Sequence, residues 1–511
     1  MTRRQYVTTA IDYPNAPRPH MGQVMEKVMA DTVVRWFRLR GDDVRFQIGT
    51  DEHGVKIQRR AEQEKVTPLE LVNRNVPNFI SLYDRLGISY DPPFIRTTDR
   101  QRHWPTVQAL WGKLQEAGAL EKRTYTGLYC QGCERFMTKR DLVDGKCPDH
   151  QAVPEEVSEE NWFFLLSKEA QWLKKLLTQK KDGYAIVPAS RAQETMALIE
   201  RGLEDVSFSR PTSSLRWGIP VPGDPGQTMY VWCDALTNYI SGLGYFTDHA
   251  QTEWWDEAEV THVIGKDIAR FHALIWPAML KHAGVRTPDR LLIHGFLTSE
   301  GQKMSKTIGN VVSPEEVLAH VKENPDPLRF YLSHEIPVGN DGDFSWKRFD
   351  ELYDAKLRNQ LGNLLNRVLV LLKKDGGDMA VPGQDFFGGK NPWDAYTAAM
   401  DRFEFSEALV MVFTLLSGGN KFIDDQQPWK LEAKARQVVL STLAELLRHC
   451  ALMLLPFLPG TAQEMAHQLN LPSAKKMAAK DFVLSSALKQ WNGEKSWKTV
   501  GEPRILFPPL S

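Results

Sequence analysis

A chain of 511 residues is too long for one hydrophobic core, since single cores stop growing at roughly 250 to 300 residues, so two to four domains are expected. Hydrophobic residues at 42%, charged residues at 25% and 15 Trp exclude a disordered or fibrous chain. A formal net charge of -1 excludes the overall basic footprint of a nonspecific nucleic-acid binder, so any nucleic-acid contact is local.

The first apolar run, Tyr6-Val-Thr-Thr-Ala-Ile11, reads as a strand, and it is too short for the core of a signal peptide. From Met21 the apolar residues Met21, Val24, Met25, Val28, Met29 and Val33 recur at helical spacing, and Gly41 serves as the C-cap. Val44-Arg-Phe-Gln-Ile48 is a second strand. The three elements predict a parallel pair with a right-handed crossover, half of a Rossmann-like sheet.

His20 and Gly22 stand at the first turn of that helix. Helix N-termini offer unpaired N–H groups and a positive dipole end to phosphate; Gly22 lets a ligand approach, and His20 can donate to phosphate oxygens. The same two residues also suit ordinary turn chemistry.

Next along the chain come Cys130-Gln-Gly-Cys133 and Cys147-Pro-Asp-His150, two knuckle-like pairs with thirteen residues between them. Two Cys-x2 pairs ending in four ligands, with no open position, predict one structural, tetrahedral zinc that does no chemistry. Such a knob is too small to fold unaided, and the metal supplies its folding free energy. The alternative is unconnected reduced thiols on a surface loop. Five cysteines, an odd number, argue against a disulfide framework and for a reducing cytoplasm.

Thr261-His-Val-Ile264 reads as a strand, Ile268 to His282 as a helix and Leu291 to Phe296 as a strand, a second copy of the first unit. The sheet is therefore split, with roughly residues 120 to 230 inserted at a loop position. After it comes Gly301-Gln-Lys303-Met-Ser305-Lys306-Thr307. Two lysines three apart on a glycine-led loop can reach a triphosphate and stabilise charge growing on leaving pyrophosphate. A solvated lysine pair is the alternative, but the loop follows a sheet strand, where the binding crevice of such sheets lies.

Beyond about residue 355 helical periodicity takes over, as in Leu361, Leu364, Leu365, Val368 and Leu369, and again from Val438 to Leu455, which predicts a helix bundle. Ala451 to Phe457, interrupted by Pro456, is too short to span a bilayer and reads as a core helix end. Lys475 to Lys480 reads as a solvated basic patch.

His20-Met-Gly-Gln23 and Lys303-Met-Ser-Lys306 resemble the two signatures of class I aminoacyl-tRNA synthetases. Tyr13-Pro-Asn15, Gly49-Thr-Asp-Glu-His-Gly54, Tyr230-Val-Trp-Cys-Asp-Ala235, Ile264-Gly-Lys-Asp-Ile268, Phe271-His272 and His294-Gly-Phe-Leu297 narrow the resemblance, in order and context, to the methionyl-tRNA synthetase family. It covers nearly the whole chain.

The resemblance implies an α/β fold: a Rossmann-like parallel sheet split by an inserted zinc-knuckle domain, then an all-α anticodon-binding bundle. Its expected parts are 1–118, the first catalytic half; 119–229, the insertion; 230–298, the second catalytic half; 299–357, a lysine-loop linker; and 358–511, the bundle. It implies attack of the methionine carboxylate on the α-phosphate of magnesium-bound ATP, then transfer of methionyl to tRNA(Met).

Carried over residue by residue, the amino-acid pocket is Ile11, Tyr13, Asp51, Trp232, Ala235, Leu236, Tyr239, Ile268 and His272. Aromatic walls suit a polarisable thioether, Tyr239 and His272 offer donors to it, and Asp51 holds the ammonium. Ordinary core packing is the alternative for Trp232 and Tyr239. ATP falls to His20, Gly22, Gln23, Lys266, Asp267, Lys303 and Lys306, with Asp267 on the ribose and Lys266 on phosphate. His20, Gln23, Lys303 and Lys306 carry catalysis by charge and position. The anticodon falls to Asn363, Arg367 and Trp429: the first two share a helix face, and a tryptophan stacks an unstacked base if it is not packed in the bundle.

Two features depart from the family pattern. Gln23 stands where a second histidine is usual, and the loop from Asn15 to His20 is one residue longer. Glutamine can hydrogen-bond an ATP oxygen but cannot carry a proton, which predicts an altered contact.

Leucine, isoleucine and valine enzymes of the class share the signatures but carry a larger editing insertion than about 110 residues. A non-catalytic RNA-binding paralogue is the other rival, against which Lys303 and Lys306 argue. The chain ends without an appended dimerising domain, so a monomer is expected.

Overall fold

The computed structural model describes residues 2–130, 135–137, 141–148, 151–179, 183–303, 310–383, 386–387 and 391–510. Its centre is a five-stranded, all-parallel sheet in the order Asp43–Gln47, Arg4–Thr9, Glu259–Gly265, Arg290–His294, Ala185–Val187. Gln5 to Thr9 are wholly buried, as a central parallel strand covered on both faces requires. The two copies of the strand, helix and strand unit thus meet in one sheet.

One strand corrects the expected boundaries. Ala185–Val187 lies within the segment 119–229 that was expected to stand apart as an insertion, yet it pairs with Arg290–His294 at the sheet edge. Three residues are too few to show a period-two pattern, so sequence periodicity passes over them. Around that edge strand, the segment builds antiparallel sheets of its own, chiefly the long pair Leu120–Cys130 and Glu155–Phe164.

The helix Met21–Leu39 is buried almost all round, including Glu26, Lys27, Asp31 and Thr32. It ends as expected: Gly41 takes φ 89°, the left-handed conformation that closes a helix without Cβ strain. The expected helix from Ile268 to His282 is instead three pieces, a tight turn Lys266–Ile268, a wide turn Phe271–Ile275 and an α-helix Trp276–Ala283. Wide turns of this kind recur at functional sites, and this one carries His272.

A small sheet follows. Leu297–Ser299 pairs antiparallel with Gln302–Lys303 and parallel with Gly342–Phe344. Glu300 at φ 51° and Gly301 at φ 72° make the two-residue hairpin turn between them.

Beyond residue 345 the regular elements are helical, chiefly Asn363–Lys374, Phe405–Gln426 and Ala433–Leu454. Leu364, Leu365 and Val368 share a core with Leu443, Leu446 and Leu447. Ala433–Leu454 is long and apolar enough to cross a membrane, but its apolar window is 83% buried inside the protein, so it is a core helix. Arg329, with no solvent exposure, pairs with Asp31 at 2.7 Å and donates to the Phe457 carbonyl oxygen at 2.8 Å. It fastens the sheet's first helix to the bundle, and these partners offset the desolvation of a buried charge.

Candidate active site

The C-terminal ends of three neighbouring strands open into one cavity of about 1110 Å³. Ala10 and Ile11 reach it from the second strand of the sheet order, Gly265 and Asp267 from the third, His294 and Phe296 from the fourth, and His20 with Gly22 from the first helix. This is the crevice that an open parallel sheet offers to a nucleotide.

At the helix N-terminus His20 is the N-cap and forms a capping box with Gln23. The His20 N–H donates to Gln23 Oε1 at 2.9 Å, and the Gln23 N–H donates to His20 Nδ1 at 3.3 Å. A nitrogen that accepts carries no proton, so the neutral ring bears its hydrogen on Nε2. Crowding by the protein around the cavity mouth, and next the Lys27 ammonium, push the His20 pKa down to about 4. The ring is thus a neutral donor at neutral pH. Gln23 spends its carbonyl on the cap, and its amide N–H2 remains for a ligand.

One turn into the helix lies a cluster that sequence reasoning missed. Lys27, fully buried, reaches Asp12 Oδ1 at 3.0 Å, Glu26 Oε1 at 2.9 Å and the Ala10 carbonyl oxygen at 2.9 Å. Glu26 Oε2 is 3.1 Å from His294 Nε2, and Asp12 Oδ2 accepts the Tyr83 hydroxyl at 2.7 Å. Asp12, Glu26 and His294 line the cavity. Burial raises the Asp12 pKa to about 6 even though Lys27 opposes the rise. Charged residues inside a helical pattern read as its solvent face, so nothing in the sequence marked Glu26 and Lys27 as buried.

The amino-acid residues gather on the next side. Trp232, Ala235, Leu236 and Tyr239 stand on one helix, Val231–Ser241. Trp232 stacks on Phe271 with ring centroids 3.8 Å apart and meets His272 edge-on at 6.3 Å. The Tyr239 hydroxyl is 2.6 Å from His272 Nε2, and His272 Nδ1 is 3.0 Å from the Ile268 carbonyl oxygen. Ile268, Ile11 and Tyr13 line the cavity itself. The two donors expected to face a thioether are therefore already engaged, Tyr239 by His272 and His272 by Ile268. Burial drives the His272 pKa down to about 4.

Asp51 is buried, and its N–H donates to the Asp12 carbonyl oxygen at 2.8 Å. Its neighbours are locked: Arg96 holds Glu52 by two hydrogen bonds of 2.6 and 2.9 Å. His53 and His103 each meet Asp234, on the Trp232 helix, at 2.6 Å. His262 was also missed. Its Nε2 accepts the Trp276 N–H at 3.2 Å, its Nδ1 is 2.6 Å from Thr8 Oγ1, and the Tyr239 ring stacks on it at 4.1 Å.

Of the two expected lysines, Lys303 has its backbone paired with Thr298 in the hairpin, and Lys306 lies outside the described residues. Lys266 is paired with both carboxylate oxygens of Asp341, at 2.6 and 2.7 Å. Asp267 has its pKa raised, chiefly by desolvation.

Cys130 and Cys147 are buried in one small cluster with Met137 and Leu142, whereas Cys133 and His150 lie outside the described residues. In the bundle Asn363 is exposed, and Trp429 is 48% exposed. The Arg367 guanidinium lies 5.7 Å from the Trp429 ring centre and pairs with Asp424 at 2.7 Å.

The chain matches the family described as tRNA synthetases class I (M) over residues 5–157 and 150–369. It is 41% identical to the methionine--tRNA ligase of Caldanaerobacter subterraneus subsp. tengcongensis, over all of this chain and 79% of that protein. It is 40% identical to that of Synechocystis sp., over 98% of this chain and 96% of the relative. A solved structure of Mycobacterium tuberculosis methionyl-tRNA synthetase in complex with methionyl-adenylate superposes with a TM-score of 0.88 at 34% identity, covering 99% of this chain and 100% of that one. Site, family match and full-length likeness agree: the chain belongs to the class I tRNA synthetase (M) family, the methionine--tRNA ligases.

Proposed function

We propose that this ligase activates L-methionine with magnesium-bound ATP, forming methionyl-adenylate and pyrophosphate, and transfers methionyl to the 3′-terminal ribose of tRNA(Met). The observation that carries the reading is the shared cavity, in which the helix N-terminus with His20 and Gly22 faces Ile11, Tyr13 and Ile268. Phosphate chemistry and an apolar side-chain pocket meet there.

A methionine carboxylate oxygen attacks the α-phosphorus, and the bond from that phosphorus to the bridging oxygen breaks. Pyrophosphate departs with the electron pair. In the second step a ribose hydroxyl oxygen bonds to the carbonyl carbon, the bond from that carbon to the adenylate oxygen breaks, AMP leaves with the electron pair, and the hydroxyl proton is released. No side chain bonds covalently; position and charge carry the rate. His20 donates from Nε2 to phosphate oxygen, the Gln23 amide adds a neutral donor, and Lys303 and Lys306 meet the charge of departing pyrophosphate. Lys266 contacts phosphate and Asp267 the ribose. Asp51 holds the ammonium, fixed by its locked neighbours Glu52 and His53. Trp232, Ala235, Leu236, Tyr239 and His272 bound the thioether, with Tyr239 and His272 shaping the wall rather than donating to sulfur.

One structural zinc sits on Cys130, Cys133, Cys147 and His150. The shared burial of Cys130 and Cys147 supports this reading, since it brings one cysteine of each Cys-x2 pair into the same small cluster, where a metal would supply folding free energy. Residues 358–511 read the anticodon through Asn363, Arg367 and Trp429, supported by the exposed ring of Trp429 beside Arg367.

Amino-acid-dependent exchange between ATP and pyrophosphate, run with each of the twenty amino acids, tests the reading. Exchange with methionine alone is expected. Absence of exchange with every amino acid, from folded and zinc-replete protein, would favour a non-catalytic RNA-binding paralogue.

A further inference from the structure

We propose that Asp341 is a positioning residue that competes with the ATP triphosphate for Lys266 and so couples nucleotide entry to the hairpin bearing Lys303. The inference rests on the ATP reading of the cavity given above.

Asp341 lines the cavity, as does Phe296. The Lys266 ammonium is held against both Asp341 carboxylate oxygens, at 2.6 and 2.7 Å, and lies 4.4 Å from the Phe296 ring centre. Lys266 stands between Gly265 and Asp267, both of which line the cavity, so under the ATP reading a carboxylate that grips it there takes the place a phosphate oxygen would have. The side chains retain 22% and 49% exposure, and ion pairs so open to water are weak, because solvent screens them and both side chains lose freedom in forming them. A triphosphate, with several charges and a magnesium ion, can therefore take the lysine from the carboxylate.

The consequence reaches the lysine loop through the backbone. Asp341 immediately precedes Gly342–Phe344, which pairs with Leu297–Ser299, the strand antiparallel to Gln302–Lys303. Asp341 Oδ1 also accepts the Phe296 N–H at 2.8 Å, and the Gly342 N–H donates to the Phe296 carbonyl oxygen at 2.8 Å. Two residues on, Asp343 Oδ1 accepts the Thr298 hydroxyl at 2.6 Å and the Gly301 N–H at 2.8 Å, gripping the turn that leads into Lys303. One short segment thus holds Lys266 at one end and the hairpin turn at the other. When phosphate takes Lys266, the segment loses its tie to the third strand of the main sheet and keeps its hold on the hairpin.

The test is a two-by-two set: wild type, Asp341→Asn, Lys266→Met and the double variant. Each is assayed by methionine-dependent exchange and by binding of a non-hydrolysable ATP analogue. Asparagine keeps an acceptor for the Phe296 N–H and removes the charge. Asp341→Asn is expected to lower the KM for ATP by about fivefold, with the KM for methionine unchanged and the gain shrinking at high salt. In the Lys266→Met background the same change is expected to give a gain below about twofold. An unchanged or raised KM for ATP in Asp341→Asn, or an equal gain in both backgrounds, overturns the proposal. If Lys266→Met leaves ATP binding unchanged, the phosphate role of Lys266 itself fails, and that result is distinct from failure of the competition.

Discussion

The Tyr239 hydroxyl lies 2.6 Å from His272 Nε2, and His272 Nδ1 lies 3.0 Å from the Ile268 carbonyl oxygen. A carbonyl oxygen only accepts, so the neutral ring carries its proton on Nδ1, and Nε2 accepts from tyrosine. The relay joins the helix Val231–Ser241 to the cavity wall at Ile268. Tyr239→Phe removes the donor and leaves a buried acceptor without it, at about 1–3 kcal/mol. The KM for methionine in exchange assays should rise by roughly tenfold while that for ATP stays constant. A change confined to ATP would contradict the placement.

Gly22 is under a different constraint. A Cβ at this position would lie 3.1 Å from His20 Cε1 and Nδ1, closer than ordinary contact, so Gly22→Ala makes the ring give by a few tenths of an ångström and strains its cap. The expected results are a higher KM for ATP and a loss of about 1 kcal/mol in urea unfolding, the value of a cap. An unaltered KM for ATP would detach His20 from the nucleotide.

Acid should weaken the fold through the buried histidines. His272 titrates at about 4 in the folded chain against 6.5 as its ordinary value, and burial also holds His262 well below 6.5. The unfolded chain therefore takes up protons that the folded chain refuses, so their contribution is complete above pH 6.5 and is lost as pH falls towards 4. For His272 the loss amounts to about 3 kcal/mol. Asp12, raised to about 6, works the other way, since the folded chain binds its proton first as pH falls. The comparison is accordingly between wild type and His272→Gln: urea midpoints at successive pH values should fall less steeply in the variant. Parallel slopes would contradict the assignment.

Metal analysis of native protein should find one zinc per chain, and Cys130→Ser should lose it. Proteolysis between the strands Leu120–Cys130 and Glu155–Phe164 should then accelerate, because metal binding supplies folding free energy to so small a unit. Native protein free of zinc, with folded knuckle strands, would contradict the ligand set.

Trp429→Ala should raise the KM for tRNA by about tenfold, the loss of one stacked base, and leave exchange, which needs no tRNA, unchanged. Arg367→Ala should act in the same direction, since its guanidinium lies 5.7 Å from that ring's centre. Unchanged charging kinetics in both variants would remove this face from anticodon reading.

The sequence disclosed most of the sheet because buried parallel strands are continuous apolar or β-branched runs, as from Tyr6 to Thr9. Ala185–Val187 escaped because three residues carry no period, and the wide turn at Phe271–Ile275 escaped because its apolar spacing imitates a helix. In the candidate site, His20 and Gly22 could be read from their place at a helix start, whereas the Val231–Ser241 aromatics Trp232 and Tyr239 came only through the family resemblance. Lys27 and Asp341 came by neither route: each acquires its role from residues distant in the chain or from burial that charge patterning opposes. Trp429 was balanced between packing and stacking in the sequence, because a lone tryptophan in a helical region carries no sign of its exposure; in the fold it is 48% exposed.

The central claim is tested most directly by charging. Purified protein, methionine and magnesium-bound ATP are incubated with total tRNA, and the acylated species are identified by sequencing. The account predicts methionine on tRNA(Met) and on no other acceptor, with one AMP formed per methionyl group transferred. Adenylate formation without any charged tRNA, or no adenylate at all, would contradict it.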